Sequence, residues 1–331
     1  MKYVLWGLIL FLISCDTPSY QSATPQLENG AEAIALDGTL LFPPKDSEAV
    51  FQKKDSLLDI AYQDYQNDPH DLENIIWYGR RLAYMNRFNE AIGVYSKGIA
   101  EYPAAAALYR HRGHRYLSIR KFDMAITDFK KAADLVKNQP TEIEPDGIPN
   151  KLNKPLSTLQ FNIWYHWALG YYLKGNYERA AKLYEECLEY SDNDDLLVAT
   201  TNWLYATYQR LGETEKAKKL LDDITEDMEI VENTAYHNLL LLQKGVVTPG
   251  YLMASDSTGG DNRLNLITQD YGMANWYAQN GDDVKAKNIL TAILDADYWM
   301  FFGYIAAEAD LNRKDVELEL GKTESSSSSS H

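Results

Sequence analysis

The chain has 331 residues, of which 45% are hydrophobic and 12% aromatic, so it holds enough apolar material for a sizeable core. Its formal net charge of −16 argues against general nucleic-acid binding and against adhesion to anionic lipid head groups. It has two cysteines, Cys15 and Cys187, so no disulfide can form within the chain if Cys15 carries a lipid.

Residues 1–14 have the layout of a secretory signal, because one lysine precedes an apolar run that is too short to span a bilayer. Residues 12–15 read Leu-Ile-Ser-Cys and resemble the lipobox of bacterial lipoproteins. The resemblance implies that Cys15 is the lipid-bearing first residue of the mature protein. The alternative is an ordinary signal peptide, or a small anchor, that happens to contain a cysteine. The polar, proline-containing residues 15–45 predict a flexible tether.

The stretch 46–71 is the first with helical periodicity. Its apolar residues from Val50 to Tyr65 recur at steps of three and four. We expect an N-terminal capping helix that ends near Asp68 and Pro69.

Residues 72–139 contain two copies of one 34-residue pattern. Within each copy a glycine lies inside the first helix, where it costs about 1 kcal/mol relative to alanine. Gly79 and Gly113 therefore predict that a neighbouring helix approaches closely, with Tyr95 and Phe129 filling the space beside it. The coincident landmarks are Gly79 with Gly113, Phe88 with Phe122, Ala91-Ile92 with Ala125-Ile126, Tyr95 with Phe129, and Gly98 with Ala132.

This period of 34, with its small and aromatic positions, resembles the tetratricopeptide repeat family. The resemblance implies an all-α, right-handed superhelical solenoid of helix–turn–helix repeats with capping helices. The alternative is a plain amphipathic helical bundle.

The remaining chain divides on the same pattern. Residues 140–160 form a proline-rich insertion, and a loop of that length is usually functional or disordered. We expect repeats 3 and 4 in 161–231, a degenerate repeat and loop in 232–266, and a last repeat with a C-terminal capping helix in 267–313. The serine-rich tail 314–331 predicts disorder. Cys187 occupies a small-residue position of repeat 3, which predicts a packed core thiol.

The stretch 109–115 reads Tyr-Arg-His-Arg-Gly-His-Arg and is strongly basic in an acidic chain. The resemblance implies that the first helix of each repeat lines a concave peptide-binding groove. Arginine and amide side chains there suit an extended peptide with carboxylates, although the lysine and asparagine clamp of chaperone-binding relatives is not reproduced. The resemblance places these residues in the groove: Arg80, Arg110, His114, Asn162, Tyr165, Asn202, Gln209, Tyr271 and Asn275.

Two other interpretations of the basic cluster remain open. It pairs with the chain's own acids, for which Glu142, Glu144 and Asp146 of the insertion are candidates, or it is simply solvated. The flanking arginines disfavour a metal site at His111 and His114.

The sequence contains no glycine-rich phosphate loop, nucleophile elbow or zinc motif, and we expect no catalysis, cofactor or metal. The favoured function is a non-catalytic scaffold, lipid-anchored in the bacterial cell envelope and facing the periplasm or the exterior, that binds a protein or peptide partner. The alternative is an envelope enzyme, or a small-molecule or glycan binder, whose pocket is roofed by loop 140–158. A closed pocket with a convergent carboxylate favours this alternative, whereas an open groove favours the scaffold. A third hypothesis is self-association through the apolar C-terminal helix.

Overall fold

A computed structural model of the chain describes residue 27, residues 30–255 and residues 263–313. The predicted signal 1–14, Cys15 and the tail 314–331 lie outside the described residues. No helix in the described ranges combines the length and the apolarity needed to cross a bilayer. The helices are α1 (Glu48–Asn67), α2 (Leu72–Tyr84), α3 (Phe88–Glu101), α4 (Ala106–Ser118), α5 (Phe122–Val136), α6 (Leu159–Leu173), α7 (Tyr177–Leu188), α8 (Asp194–Leu211), α9 (Thr214–Leu220), α10 (Thr234–Lys244), α11 (Pro249–Ser255), α12 (Arg263–Gln279), α13 (Asp283–Leu294) and α14 (302–313).

The pairs α2–α3, α4–α5 and α6–α7 are the helix–turn–helix units of repeats 1 to 3, and each helix packs on the next in the chain. The turn inside each unit contains one residue with left-handed backbone, at Asn86 (φ 59°), Arg120 (φ 62°) and Gly175 (φ 78°). Glycine and asparagine tolerate this conformation well. Arginine does not favour this backbone conformation, and the guanidinium of Arg120 binds the carboxylate of Glu308 from this position.

The close helix approach expected at the repeat glycines is confirmed. A Cβ atom added at Gly79 would lie 2.4 Å from Cε1 of Tyr95, and one at Gly113 would lie 3.0 Å from the Phe129 ring. Both aromatic rings are fully buried. Each glycine therefore makes room for the aromatic ring of its own repeat, which is how the two helices reach contact distance.

The second half of the array is less regular. Helix α8 has 18 residues but its partner α9 has only 7. The connection from α9 to α10 is held by the buried carboxylate of Asp195, which accepts hydrogen bonds from the backbone N–H groups of Val231, Glu232 and Asn233, each at 2.8 Å. This carboxylate takes the place of the packing that a full-length second helix would provide.

The predicted tether 15–45 was wrong in its last third. Strands β1 (Ala33–Ile34) and β2 (Leu40–Leu41) pair as an antiparallel hairpin. Ala33 and Leu41 are buried in the main core, and the Phe42 carbonyl accepts a 2.6 Å hydrogen bond from Nε1 of Trp299. The hairpin therefore packs against the end of the chain.

The C-terminal helix α14 must be covered, as its composition predicts, but the cap position was wrong. Residues 303–310 are all buried, which is the pattern of a helix enclosed on every side. Its residues contact repeats 2, 3 and 4 instead of the last repeat alone: Glu308 reaches Arg120, Arg313 donates to the Leu173 carbonyl at 2.9 Å, and Asp310 pairs with Arg210. Helix α14 therefore lies across successive repeats, on the side formed by their first helices.

Candidate functional site

The insertion 140–158 folds back onto the array as a compact loop. Gln160 clamps its base, since its side-chain amide donates to the Pro140 carbonyl (2.8 Å) and accepts from the Glu142 N–H (3.0 Å). A single antiparallel bridge joins Ile143 to Thr158. The loop therefore has ordered backbone contacts of its own.

Three arginines on α2 and α4 hold this loop. Nη2 of Arg80 donates to the Pro145 carbonyl (2.8 Å), and Nη1 of Arg81 donates to the Gly147 carbonyl (3.1 Å). Nη2 of Arg110 lies 2.9 Å from Oε1 of Glu144, and both side chains are buried. The internal-pairing interpretation of the basic cluster is confirmed for this pair.

Arg112 pairs with a different acid. Its guanidinium makes two 2.7 Å hydrogen bonds to the carboxylate of Asp128, on α5 of the same repeat. Burial raises the pKa of Asp128, and the arginine works against that shift. Arg112 is thus part of the repeat's own packing and does not reach the insertion loop.

Between α2, α4 and the loop lies a cavity of about 100 Å³. We call it the basic cavity. It is closed on one side by the insertion loop, and Tyr84, His114 and Arg115 in its wall are partly exposed to solvent. Its lining residues are Arg80, Ala83, Tyr84, Tyr95, Arg110, His111, His114, Arg115 and Glu144.

The histidines of the basic cavity are held neutral. Burial is the main cause that lowers the pKa of His111 and of His114 well below the usual value, and neighbouring arginines add to it. Nη1 of Arg110 lies 3.1 Å from Nδ1 of His111. Because an arginine can only donate, Nδ1 of His111 accepts and its proton lies on Nε2.

The structure brings some of the predicted groove residues together and separates others. Arg80, Arg110 and His114 share the basic cavity. Asn162 donates to Oγ of Ser157 at the foot of the insertion, and the Tyr165 hydroxyl donates to the Tyr236 hydroxyl at 3.2 Å. Whether these residues bind a peptide stays a prediction.

A second, much smaller cleft of about 10 Å³ lies further along the array. Asn202, Tyr271 and Asn275 line it, whereas Gln209 lies outside and donates to the Tyr205 hydroxyl at 3.0 Å. The side-chain amide oxygen of Asn275 accepts a hydrogen bond from Arg210 at 2.8 Å. The predicted row of groove residues is therefore divided: three line the basic cavity, three line this cleft, and Asn162, Tyr165 and Gln209 line neither.

Helix α14 fills the space that an extended peptide would need. The Phe302 ring lies 5.1 Å from the ring of His114 and 5.4 Å from that of His166, measured between centroids. Asp310 accepts from the Tyr271 hydroxyl at 3.0 Å. Predicted groove residues of two repeats, His114 and Tyr271, thus contact the chain's own C-terminal helix.

The sequence singled out the basic stretch 109–115 but did not place His111 or Arg115 in the site. The spacing contains the signal, since 110 and 114, and likewise 111 and 115, are four apart and lie on one helix face. Glu144 was a candidate partner, and Tyr84 was missed.

Other side chains that could have served a ligand lie in the core. Trp164 and Tyr165 of α6 are buried, so they offer no free stacking surface for a glycan. The Cys187 thiol is fully buried, which confirms the packed-thiol prediction. Within the described residues, no group of three or more histidine, cysteine or carboxylate side chains is arranged to hold a metal ion.

Comparison with known proteins supports the repeat assignment. The family model for the tetratricopeptide repeat matches residues 161–194, which span α6 and α7. No curated protein matches the chain.

Among solved structures, similar chains include YrrB, described as a TPR protein with an unusual peptide-binding site (14% identity, 77% of this chain and 97% of that chain, TM-score 0.40). They also include MamA (14% identity, 60% and 95%, TM-score 0.41) and the P58(IPK) TPR domain (12% identity, 83% and 98%, TM-score 0.23). These likenesses are distant, so the ligands of those proteins say nothing about this one.

The chain is a helical repeat solenoid, a class of fold that typically serves protein interaction. Its third repeat, residues 161–194, matches the tetratricopeptide-repeat family model, in agreement with the resemblance seen in the sequence.

Proposed function

We propose that this chain is a non-catalytic scaffold of the bacterial cell envelope that holds a protein partner on its insertion loop. The observation that carries the proposal is a set of exposed aliphatic side chains on a loop that is otherwise held in place. Ile143, Ile148 and Leu152 are 66%, 71% and 58% exposed, while Arg80, Arg81 and Arg110 anchor the backbone around them.

A loop that is already ordered loses little conformational entropy when it binds, and this favours affinity. Exposed aliphatic residues on such a loop suit an apolar contact surface of another protein. The concave groove is a poorer candidate for the same partner, because a peptide would have to displace α14.

The test is crosslinking in living cells with the full chain, followed by identification of the captured proteins. Ile143→Asp/Ile148→Asp should abolish capture of a specific envelope protein. The matched control is Val246→Asp/Val284→Asp, which adds the same charge at exposed positions away from the loop. Equal capture by both variants would contradict the proposal, and capture of only a second copy of the chain would replace it with self-association.

We also propose that Cys15 carries the lipid that holds the scaffold at the membrane. The motif at 12–15 supports this, and two or more acyl chains make a stable anchor. Cys15→Ser should abolish labelling by a fatty-acid probe and move the chain from the membrane fraction to the soluble one. Membrane retention without label would instead indicate an uncleaved anchor.

A second candidate function is small-molecule binding under loop 140–158. The observation that favours it is the basic cavity itself, with a loop carboxylate, Glu144, converging on the arginines of the array. A pocket with a convergent carboxylate favours small-molecule binding, whereas an open groove favours the scaffold. The chemistry of the cavity narrows the ligand further.

A further inference from the structure

The basic cavity contains more positive charge than its own residues neutralise. Arg80, Arg110 and Arg115 contribute three positive charges and Glu144 contributes one negative charge, a net of +2 (3 − 1). Asp146 is close enough to interact with Arg80 but does not line the cavity. Arg80 and Arg110 are buried and Arg115 is partly exposed. Buried charges without a counter-charge are unfavourable, and a doubly charged anion would balance the net charge of the cavity.

Two buried polar atoms in the cavity have no hydrogen-bond partner among the described residues. They are Nε of Arg110 and Oε2 of Glu144. Arg110 is only 7% exposed, so water does not readily replace the missing acceptor. An unpaired donor and an unpaired acceptor on two residues that line one cavity indicate a ligand that accepts one hydrogen bond and donates another.

Arg115 supplies further donors. It lines the cavity, packs its guanidinium over the Phe88 ring at 5.4 Å and makes no ion pair with any described residue. Burial lowers the pKa of Arg115 to about 10, which still leaves it protonated at neutral pH. An arginine presents its N–H groups in a fixed fork that matches the oxygens of an oxyanion.

The free carboxylate oxygen of Glu144 decides which oxyanion fits. A carboxylate repels an anion that carries no proton, but it accepts a hydrogen bond from one that does. Free phosphate retains at least one proton at neutral pH, whereas sulfate has none. Glu144 therefore selects oxyanions that carry a proton over those that do not.

We propose that the basic cavity binds a hydrogen phosphate group, with Arg110 and Arg115 donating to its oxygens and Glu144 accepting its proton. The group is free phosphate, because hydrogen phosphate keeps a proton and still carries two negative charges, whereas a monoester that keeps its proton carries only one. The cavity volume of about 100 Å³ is several times the ~10–15 Å³ that one water needs by the same measure, which leaves room for a tetrahedral ion. This proposal rests on the second candidate function and names its ligand class; the protein-partner proposal does not depend on it.

The test is calorimetric titration of the full chain, in detergent and in a buffer without phosphate, with inorganic phosphate, sulfate and methyl phosphate. Phosphate should bind at one site, and sulfate should bind about tenfold more weakly or worse, the loss expected when one charge-assisted hydrogen bond is replaced by repulsion. Methyl phosphate, whose second pKa is about 6, is largely unprotonated at neutral pH and should bind about as weakly as sulfate.

Two variants separate the role of the donors from the selection for a proton. Arg115→Gln should weaken phosphate by about tenfold or more, and it should fold because Arg115 has no ion pair to lose. Glu144→Gln should allow sulfate to bind nearly as well as phosphate, since an amide can donate to an unprotonated oxygen. The control is Arg179→Gln, an exposed arginine of repeat 3, which should leave both affinities unchanged.

Three results would overturn the assignment. They are no phosphate binding to the folded wild-type chain, equal binding of phosphate and sulfate to it, and full phosphate affinity in Arg115→Gln. Loss of phosphate binding with continued capture of the protein partner would remove this site and leave the scaffold proposal standing.

Discussion

Arg120 and Glu308 lie 188 residues apart and form a buried ion pair, with Nη2 and Nε of the arginine 2.5 and 3.0 Å from Oε2 of the glutamate. The other carboxylate oxygen accepts from the Leu36 N–H. One carboxylate therefore joins the turn of repeat 2, the C-terminal helix and the N-terminal hairpin. This explains why an arginine occupies a backbone conformation that glycine would adopt more easily.

Removing either partner of this pair should destabilise the chain strongly. Arg120→Met or Glu308→Leu leaves a buried charge unpaired, and we expect a loss of about 3–5 kcal/mol in the free energy of unfolding. The double variant should lose clearly less than the sum of the two. Urea unfolding of the four proteins measures the coupling.

The matched control is Arg87→Ala, which breaks the exposed Arg87–Glu90 pair and should cost about 1 kcal/mol or less. If Arg120→Met costs no more than this control, helix α14 is not held by the pair.

A methyl group at Gly303 should disturb the packing of α14 on α12. A Cβ atom there would lie 2.7 Å from the backbone carbonyl oxygen of Ile267, which cannot move aside as a side chain can. We expect Gly303→Ala to cost about 1–3 kcal/mol, the usual range for overpacking. Gly93→Ala is the control, because Gly93 is helical with open space around it, and alanine there should stabilise by about 0.5–1 kcal/mol. A stabilising Gly303→Ala would mean that α14 does not pack closely on α12.

The stability of the chain should fall as pH decreases from neutral. Burial lowers the pKa of His111, His114 and His166 well below 6.5 in the folded chain. The unfolded chain takes up these protons below about pH 6.5 while the folded chain does not, so each histidine removes about 1.4 kcal/mol per further pH unit. This contribution is complete above that pH and is lost below it.

Urea unfolding between about pH 8 and about pH 5.5 measures this slope. His114→Gln should reduce it by about a third if the three histidines contribute equally. The opposite sign, with stability rising on acidification across this range, would show that the three imidazoles are protonated in the folded chain.

The thiol of Cys187 should be inert until the chain unfolds. Burial raises the pKa of this thiol to about 12, and its sulfur contacts the Thr200 hydroxyl at 3.5 Å. Since the thiolate is the reactive form, a thiol reagent should modify a Cys15→Ser chain only at the rate at which it unfolds. Added urea should accelerate labelling in step with the loss of helical signal. Rapid labelling under native conditions would contradict the buried position.

Much of the array could be predicted from the sequence because its signals are local and repeated. The 34-residue offset located the helix pairs of repeats 1 and 2, and α2 to α5 begin and end within those bounds. The close approach at Gly79 and Gly113 followed from the helix cost of glycine, and the structure places the expected rings there. The short strands of the hairpin gave no such pattern, since two residues are too few to alternate.

The tertiary structure alone decided what fills the groove and what closes the basic cavity. The apolar composition of α14 predicts that another surface buries this helix. It does not identify that surface, because contacts such as the one between Arg120 and Glu308 join residues that are far apart in the chain. The carboxylate of Asp195 likewise meets the backbone N–H groups of residues 231–233 only in the folded chain. The sequence by itself determined the repeats and their helices, since periodic packing depends on residues that are close together in the chain. Only the folded chain decided that Glu144 meets Arg110, because burial and charge pairing depend on residues that are brought together from distant parts of the chain.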